Sequence, residues 1–176
     1  MKKITTIKLE ATKKSTSPDK VFKGYLSDSF PNKTENFKSR TFEVSEIDKD
    51  GTFKDFFSES EKQVMTIGEI TEFCKNHKSD LRQDGWYTFF LFKEDDNFFV
   101  AGVHVGDDGH LRVFVSPLEV GRVWHAFSQH RIVVPQLPLK NLESSDPLKL
   151  EHFDPSEILE RLERIETLLN KHFKNE

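Results

Sequence analysis

The sequence predicts an α+β fold: an antiparallel meander sheet of four to five strands with one packed helix. The middle of the chain alternates short β-type runs with turn residues, as consecutive antiparallel strands do. A helix with a capping box precedes these runs, and a second amphipathic helix lies near the carboxyl end. Of the 176 residues, 12% are aromatic and 17 are Phe. This composition indicates a packed core rather than a disordered chain.

Residues 1–40 are predicted to form a basic, partly irregular leader, with an edge strand within residues 1–11. The leader holds ten basic and four acidic side chains, a net charge of +6, whereas the whole chain has −4. A basic arm can neutralise the phosphates of a nucleic acid or an anionic surface. Its cations are nearly all lysines, however, and bidentate reading of bases favours arginine. Nucleic-acid or anionic-surface binding through this arm is therefore an alternative function.

Residues 41–135 are predicted to be the α+β core domain. Thr66 and Glu69 have the spacing of a capping box, and apolar residues then recur on one face as far as Leu81. We therefore expect a helix over residues 66–81 that packs on one face of the sheet. A short strand is expected before it, and the meander after it. The expected strands are 41–47, 86–92, 98–105 and 110–116, followed by 123–127 and 131–134, which form two strands or one bent strand.

The strand at 86–92 is apolar at both odd and even positions. A strand of this kind is typical of the centre of a sheet that is covered on both faces. Residues 136–153 contain two prolines and a polar cluster and directly follow Pro135, and they are predicted to be an extended tether.

Residues 154–174 are predicted to be an amphipathic association helix. Asp154 and Pro155 suit the cap and the first position of a helix. A helix of about 19 residues is marginal alone in water, so its apolar stripe must be buried, either on its own domain or on a second copy. Ile158, Leu162, Ile165 and Leu169 follow one another at spacings of four, three and four residues. This spacing is that of a coiled coil and favours a homo-oligomer. The predicted self-association residues are Ile158, Leu159, Leu162, Ile165, Leu168 and Leu169.

Few residues suggest a catalytic or metal-binding site. Four histidines (104, 110, 125 and 130) lie within 27 residues, which raises the alternative of a small metal-dependent enzyme. If the hairpin loop has an even number of residues, His104 and His110 face opposite sides of the sheet and do not share an ion. Cys74 and His77 have the spacing of a dyad, but Cys74 lies in the later half of its helix, where a thiolate is disfavoured. We therefore predict no catalytic or metal site.

The sequence also lacks a phosphate loop and a dinucleotide fingerprint, so no cofactor is expected. One cysteine, and no apolar run long enough to span a membrane, favour a cytoplasmic protein. Arg122, Trp124 and His125 form the candidate patch for a partner, because tryptophan and arginine are enriched at interfaces. The function predicted from these features is a non-enzymatic, homo-oligomerising interaction protein that presents a small α+β domain to an unknown partner.

Overall fold

The structure, a computed structural model, describes residues 1–136. The predicted tether and the predicted association helix lie outside the described residues. The strands are Lys2–Leu9 (β1), Arg40–Glu46 (β2), Thr88–Glu94 (β3), Asn97–Val105 (β4), Leu111–Pro117 (β5) and Arg131–Pro135 (β6). The helices are Pro18–Phe22 (α1), Phe53–Phe56 (α2), Ser60–Gln63 (α3) and Ile67–Asn76 (α4). The fold is mixed α/β, as the sequence predicts at this level.

One sheet of six strands has the order β1-β2-β6-β3-β4-β5. The predicted meander of four to five strands is wrong in two respects. The strand β1 joins β2 at one edge, and β6 lies between β2 and β3 instead of following β5. In addition, β6 pairs with β3 in parallel, through Thr88 with Arg131 and Phe89 with Ile132, so the sheet is mixed.

The parallel pairing dictates how the chain reaches β6. Because β5 runs in the direction of β3, a hairpin cannot join β5 to β6, and the chain must cross a face of the sheet. The 13 residues 118–130 make this crossing. We call this segment the crossover loop. The strand predicted at 123–127 does not form. Instead, Trp124 makes an isolated bridge to Gly51, and Ala126–Ser128 is one turn of 3-10 helix.

Both faces of the sheet are covered by apolar side chains. The helix α4 packs on one face, where Phe73 contacts Phe42 and Phe90. The opposite face carries a second core, to which α2 and the crossover loop contribute Phe53 and Trp124. The strand β3 lies inside the sheet and its first five residues are buried, which confirms the prediction of a strand covered on both faces. It begins at Thr88 rather than at residue 86, and Trp86 is exposed before it.

The predicted capping box of α4 is present. The hydroxyl of Thr66 accepts a hydrogen bond from the amide of Glu69 (3.1 Å), and the Glu69 carboxylate accepts one from the amide of Thr66 (2.8 Å). The helix ends at Asn76 rather than at residue 81, because the backbone of His77 leaves the helical region and Lys78–Asp80 forms a tighter 3-10 turn. This turn still places Leu81 in the core.

Residues 1–40 belong to the same compact unit as the sheet. This unit spans Met1–Leu137. The edge strand expected near the amino terminus forms as β1, and Ile7 and Leu9 are buried in the first core. Phe22 and Phe30 fasten the following segment, since their rings pack edge to face at 5.6 Å. Within residues 1–136, no helix is long and apolar enough to cross a membrane.

Candidate interaction site

The crossover loop is fixed to the body of the domain by its backbone. The amide of Trp124 donates to the carbonyl of Gly51 (2.8 Å), and the amide of Gly51 donates back to the carbonyl of Trp124 (3.1 Å). These two bonds join the loop to the turn that follows β2. The loop therefore has a defined conformation although it contains no strand.

A single carboxylate fixes the next part of the loop. One oxygen of Asp50 accepts a hydrogen bond from the amide of Ala126 (2.8 Å), and the other lies 2.8 Å from Nδ1 of His125. The Ala126 amide and the His125 ring hold the pKa of Asp50 below its ordinary value. The predicted patch residue His125 is exposed, and its ring stacks on Phe127 with the centroids 5.3 Å apart.

Trp124, the second predicted patch residue, is only 5% exposed and forms the centre of the second core. Its ring lies 4.7 Å from that of Phe89 and 5.2 Å from that of Phe53. It therefore supports the surface from below and does not offer a contact itself. Its indole Nε1 is buried without a hydrogen-bond partner in residues 1–136.

Close packing beneath the loop depends on a glycine. Phe114 lies directly opposite Gly102 in the β4–β5 ladder, and a Cβ at Gly102 would fall 1.9 Å from the Phe114 ring. The missing side chain lets this ring lie flat on the sheet, where it packs against Tyr87 and Trp124. Gly102 thus makes room for the aromatic layer that carries the crossover loop.

Arg122, the third predicted patch residue, is exposed and stacks on Trp124, with its guanidinium carbon 4.4 Å from the ring centroid. It has no polar partner among residues 1–136. The other arginines of this part of the chain contact a carboxylate or a carbonyl, as with Arg40 to Glu69, Arg82 to Asp84, Arg112 to Asp108 and Arg131 to the Asp80 carbonyl. Within the described residues, the hydrogen-bonding capacity of the Arg122 guanidinium is therefore unused.

The crossover loop also exposes three apolar side chains. Phe127 is 78% exposed, Val123 48% and Val120 37%. Together with Arg122 and His125 they form what we call the loop patch. At the end of the same loop, the exposed Trp86 packs edge-on against His130 (5.4 Å). Apolar side chains on a fixed loop beside an exposed arginine are typical of a binding surface.

The histidines do not assemble into a metal site among residues 1–136. His104 packs on Tyr87, while His110 packs on Tyr25. Val105 pairs with Leu111, so the hairpin loop has five residues, and the even loop considered from the sequence is wrong. Within the described residues, no group of three or more His, Cys, Asp or Glu side chains is placed to hold an ion.

The Cys74–His77 pair is not arranged for nucleophilic chemistry. Cys74 is completely buried, and burial raises the pKa of its thiol far above the ordinary value. The ring of His77 packs on Phe73 (5.5 Å), and its Nδ1 lies 3.7 Å from a carboxylate oxygen of Asp80. The thiol therefore stays protonated and packs as a small apolar group.

Sequence reasoning identified Arg122 and His125 but missed the apolar part of the loop patch. Val123 and Phe127 were assigned to a strand, in which alternate residues would be buried. One signal for a loop was present, since Pro117 and Gly121 are residues that interrupt regular structure. The six predicted self-association residues lie outside the described residues.

The comparisons with known proteins leave the function to be argued from this geometry. No family model matches the chain, and neither a curated protein nor a solved structure is significantly similar to it.

Proposed function

We propose that the protein is a non-enzymatic interaction protein that forms homo-oligomers and uses its α/β domain to bind a partner protein. In this proposal, residues 154–174 associate with a second copy of the chain, and the loop patch receives the partner. The observation that carries the proposal is Phe127, a large apolar side chain that is 78% exposed on a loop fixed by Asp50 and Gly51.

The energetics support a binding role for Phe127. A phenylalanine left in water forgoes about 1.5–3 kcal/mol of burial free energy, which an interface can recover. The bonds to Asp50 and Gly51 order the loop before any partner arrives. Binding then loses less conformational entropy than it would with a mobile loop.

The chemistry of the loop patch specifies its partner. Phe127 and Val123 require an apolar pocket, and Arg122 requires a carboxylate that residues 1–136 do not provide. A protein surface with a hydrophobic depression and an acidic rim meets both requirements. Phosphate chains lack the apolar component, so a protein is the better partner for this patch.

The case for self-association rests on the sequence. Six aliphatic side chains on one stripe each forgo roughly 1.5–3 kcal/mol when they remain in water. Their coiled-coil spacing allows a second copy to cover them. We also place the protein in the cytoplasm, which is supported by its single cysteine and the burial of that thiol.

The self-association is tested by replacing residues of the stripe. For the full chain, light scattering should give a mass of at least twice 20.5 kDa. The variant Leu162→Glu with Ile165→Glu should be monomeric, because two charges would have to be buried in the bundle. Thr167→Glu with Asn170→Glu adds the same charge on the polar side and should remain oligomeric. A monomeric wild-type chain, or an oligomeric stripe variant, would reject this part of the proposal.

The loop patch is tested with a photo-crosslinking phenylalanine analogue at position 127 in the cells that produce the protein. Each crosslinked protein is then purified, and its affinity for the full chain is measured. Phe127→Ser should weaken binding by about 10–100-fold, as expected for a central aromatic contact. Ile4→Ser removes another exposed apolar side chain, on β1, and should leave the affinity unchanged. If no purified candidate binds, or if both variants bind as wild type does, the patch is not the partner site.

A further inference from the structure

A cleft lined by lysines lies on the helical side of the sheet, where three distant parts of the chain meet. It has a volume of about 270 Å³. Lys20 of α1 and Lys23 just after it form one side. Lys75 of α4 and Lys78 of the following 3-10 turn form another, and the loop of the β4–β5 hairpin closes the third. Among residues 1–136, no acidic residue accompanies the four lysines and His110 in the lining.

The charges of these lysines are only partly compensated. Lys75 donates to the hydroxyl of Thr16 (2.9 Å) and lies 3.4 Å from the carboxylate of Glu72. Lys78 donates to the carbonyl of Gly109 (2.5 Å), a neutral acceptor. Among residues 1–136, Lys20 and Lys23 make neither an ion pair nor a side-chain hydrogen bond. One of the four cations thus has a carboxylate partner within the described residues.

One acidic side chain of the hairpin lies beside the cleft, since Asp108 is 3.4 Å from Nδ1 of the lining residue His110. Asp108 accepts hydrogen bonds from the amide of His110 (3.0 Å) and from the Arg112 guanidinium (2.8 Å). These contacts lower the pKa of Asp108 to about 2 and direct its carboxylate to Arg112. The four lysines of the cleft thus have one carboxylate partner among residues 1–136, in a protein whose formal net charge is −4.

We propose that this cleft binds a small anion with several phosphate groups. Lysine ammonium groups are compact point charges that suit phosphate oxygens, and Thr16 adds a hydroxyl donor beside them. Its volume suits a compact ligand rather than a large one. This site is independent of the loop patch, which lies on the opposite face of the sheet.

The lining also distinguishes the proposed ligand from a nucleic acid. Single-stranded nucleic acids are held by stacking their bases on aromatic side chains in a basic groove. In the described part of the chain, no phenylalanine, tyrosine or tryptophan lines this cleft, and its apolar part consists of Val21, Cys74 and Leu111. The cleft therefore provides for the phosphates but not for stacked bases.

The test uses inorganic tripolyphosphate with the full chain in a low-salt buffer. Titration calorimetry should detect binding, and two-dimensional NMR should show shifts at the amides of Lys23, Gly109 and Leu111. Lys20→Gln with Lys23→Gln should raise the Kd about tenfold, because two ammonium groups that have no partner within residues 1–136 are lost. Lys49→Gln with Lys62→Gln removes the same charge outside the cleft and should change the Kd less than about twofold.

Three results would overturn the proposal. The first is the absence of binding and of amide shifts at millimolar tripolyphosphate. The second is equal weakening by the two lysine variants, which would indicate attraction by the overall charge only. The third is binding of a short single-stranded RNA, lost in Lys20→Gln with Lys23→Gln, without any binding of tripolyphosphate. That result would assign the cleft to nucleic acid, the alternative suggested by the charge of residues 1–40.

Discussion

Trp124→Ala is expected to lower the free energy of unfolding by about 3–5 kcal/mol, the usual cost of emptying a large aromatic site in a core. The ring contacts Phe53 of α2 and Phe89 of β3, and it supports the guanidinium of Arg122. Its removal leaves a cavity where the crossover loop meets the sheet. Urea denaturation of the full-length protein, followed by circular dichroism, measures the change.

Two controls separate the packing of Trp124 from other effects. Trp124→Phe retains an aromatic ring and loses an Nε1 that has no partner in residues 1–136, so it should cost no more than about 2 kcal/mol. Trp86→Ala makes the same chemical change at a side chain that is 41% exposed, and it should cost about 1 kcal/mol or less. If both alanine variants are equally unstable, Trp124 is not the centre of the second core.

The local features of this fold were predictable because each depends on residues that are close in sequence. The capping box needs only Thr66 and Glu69, and the central position of β3 follows from its apolar residues at odd and even positions. The insertion of β6 between β2 and β3 was not predictable in this way. It depends on pairing Val133 with both Val44 and Phe90, residues far away in sequence, and no local pattern encodes that choice.

The error in topology explains the error at the site. In a meander, residues 118–130 would form a short connection that includes a strand, and alternate side chains of that strand would face the core. In the observed crossover, the same residues must cover the second face of the sheet, so Leu118 and Trp124 turn inward and Phe127 turns outward. Arg122 and His125 were identified by residue type alone. Phe127 could not be identified without the direction of β6.

The charge of residues 1–40 was visible in the sequence, but its placement was not. Only the folded chain brings Lys20 and Lys23 next to Lys75 and Lys78, more than 50 positions later. The leader was expected to be partly irregular, and a mobile arm would spread its charge over a large volume. Because α1 and β1 pack against the domain, part of that charge is held at one concave site.

His130 gives the chain a stability that depends on pH. Its Nδ1 accepts a hydrogen bond from the amide of Tyr87 (3.1 Å), which requires the neutral ring, and the side chain is buried beside Trp86 and Trp124. Burial, together with the smaller effects of Arg82 and Arg122, lowers the pKa of His130 to about 4, and Asp84 opposes them. In the unfolded chain the imidazole ring has a pKa of about 6.5.

The sign of the pH effect follows from proton binding. Between about pH 6.5 and about pH 4, the unfolded chain binds a proton at His130 and the folded chain does not, so acid favours unfolding. We expect the free energy of unfolding to fall by about 2 kcal/mol through His130 when the pH is lowered from about 7 to about 4.5. His130→Asn can keep an acceptor for the Tyr87 amide without titrating in this range, so the wild type should lose about 2 kcal/mol more than this variant over the same interval. Urea denaturation at both pH values measures the difference, and parallel losses in the two proteins would show that His130 is not the titrating group.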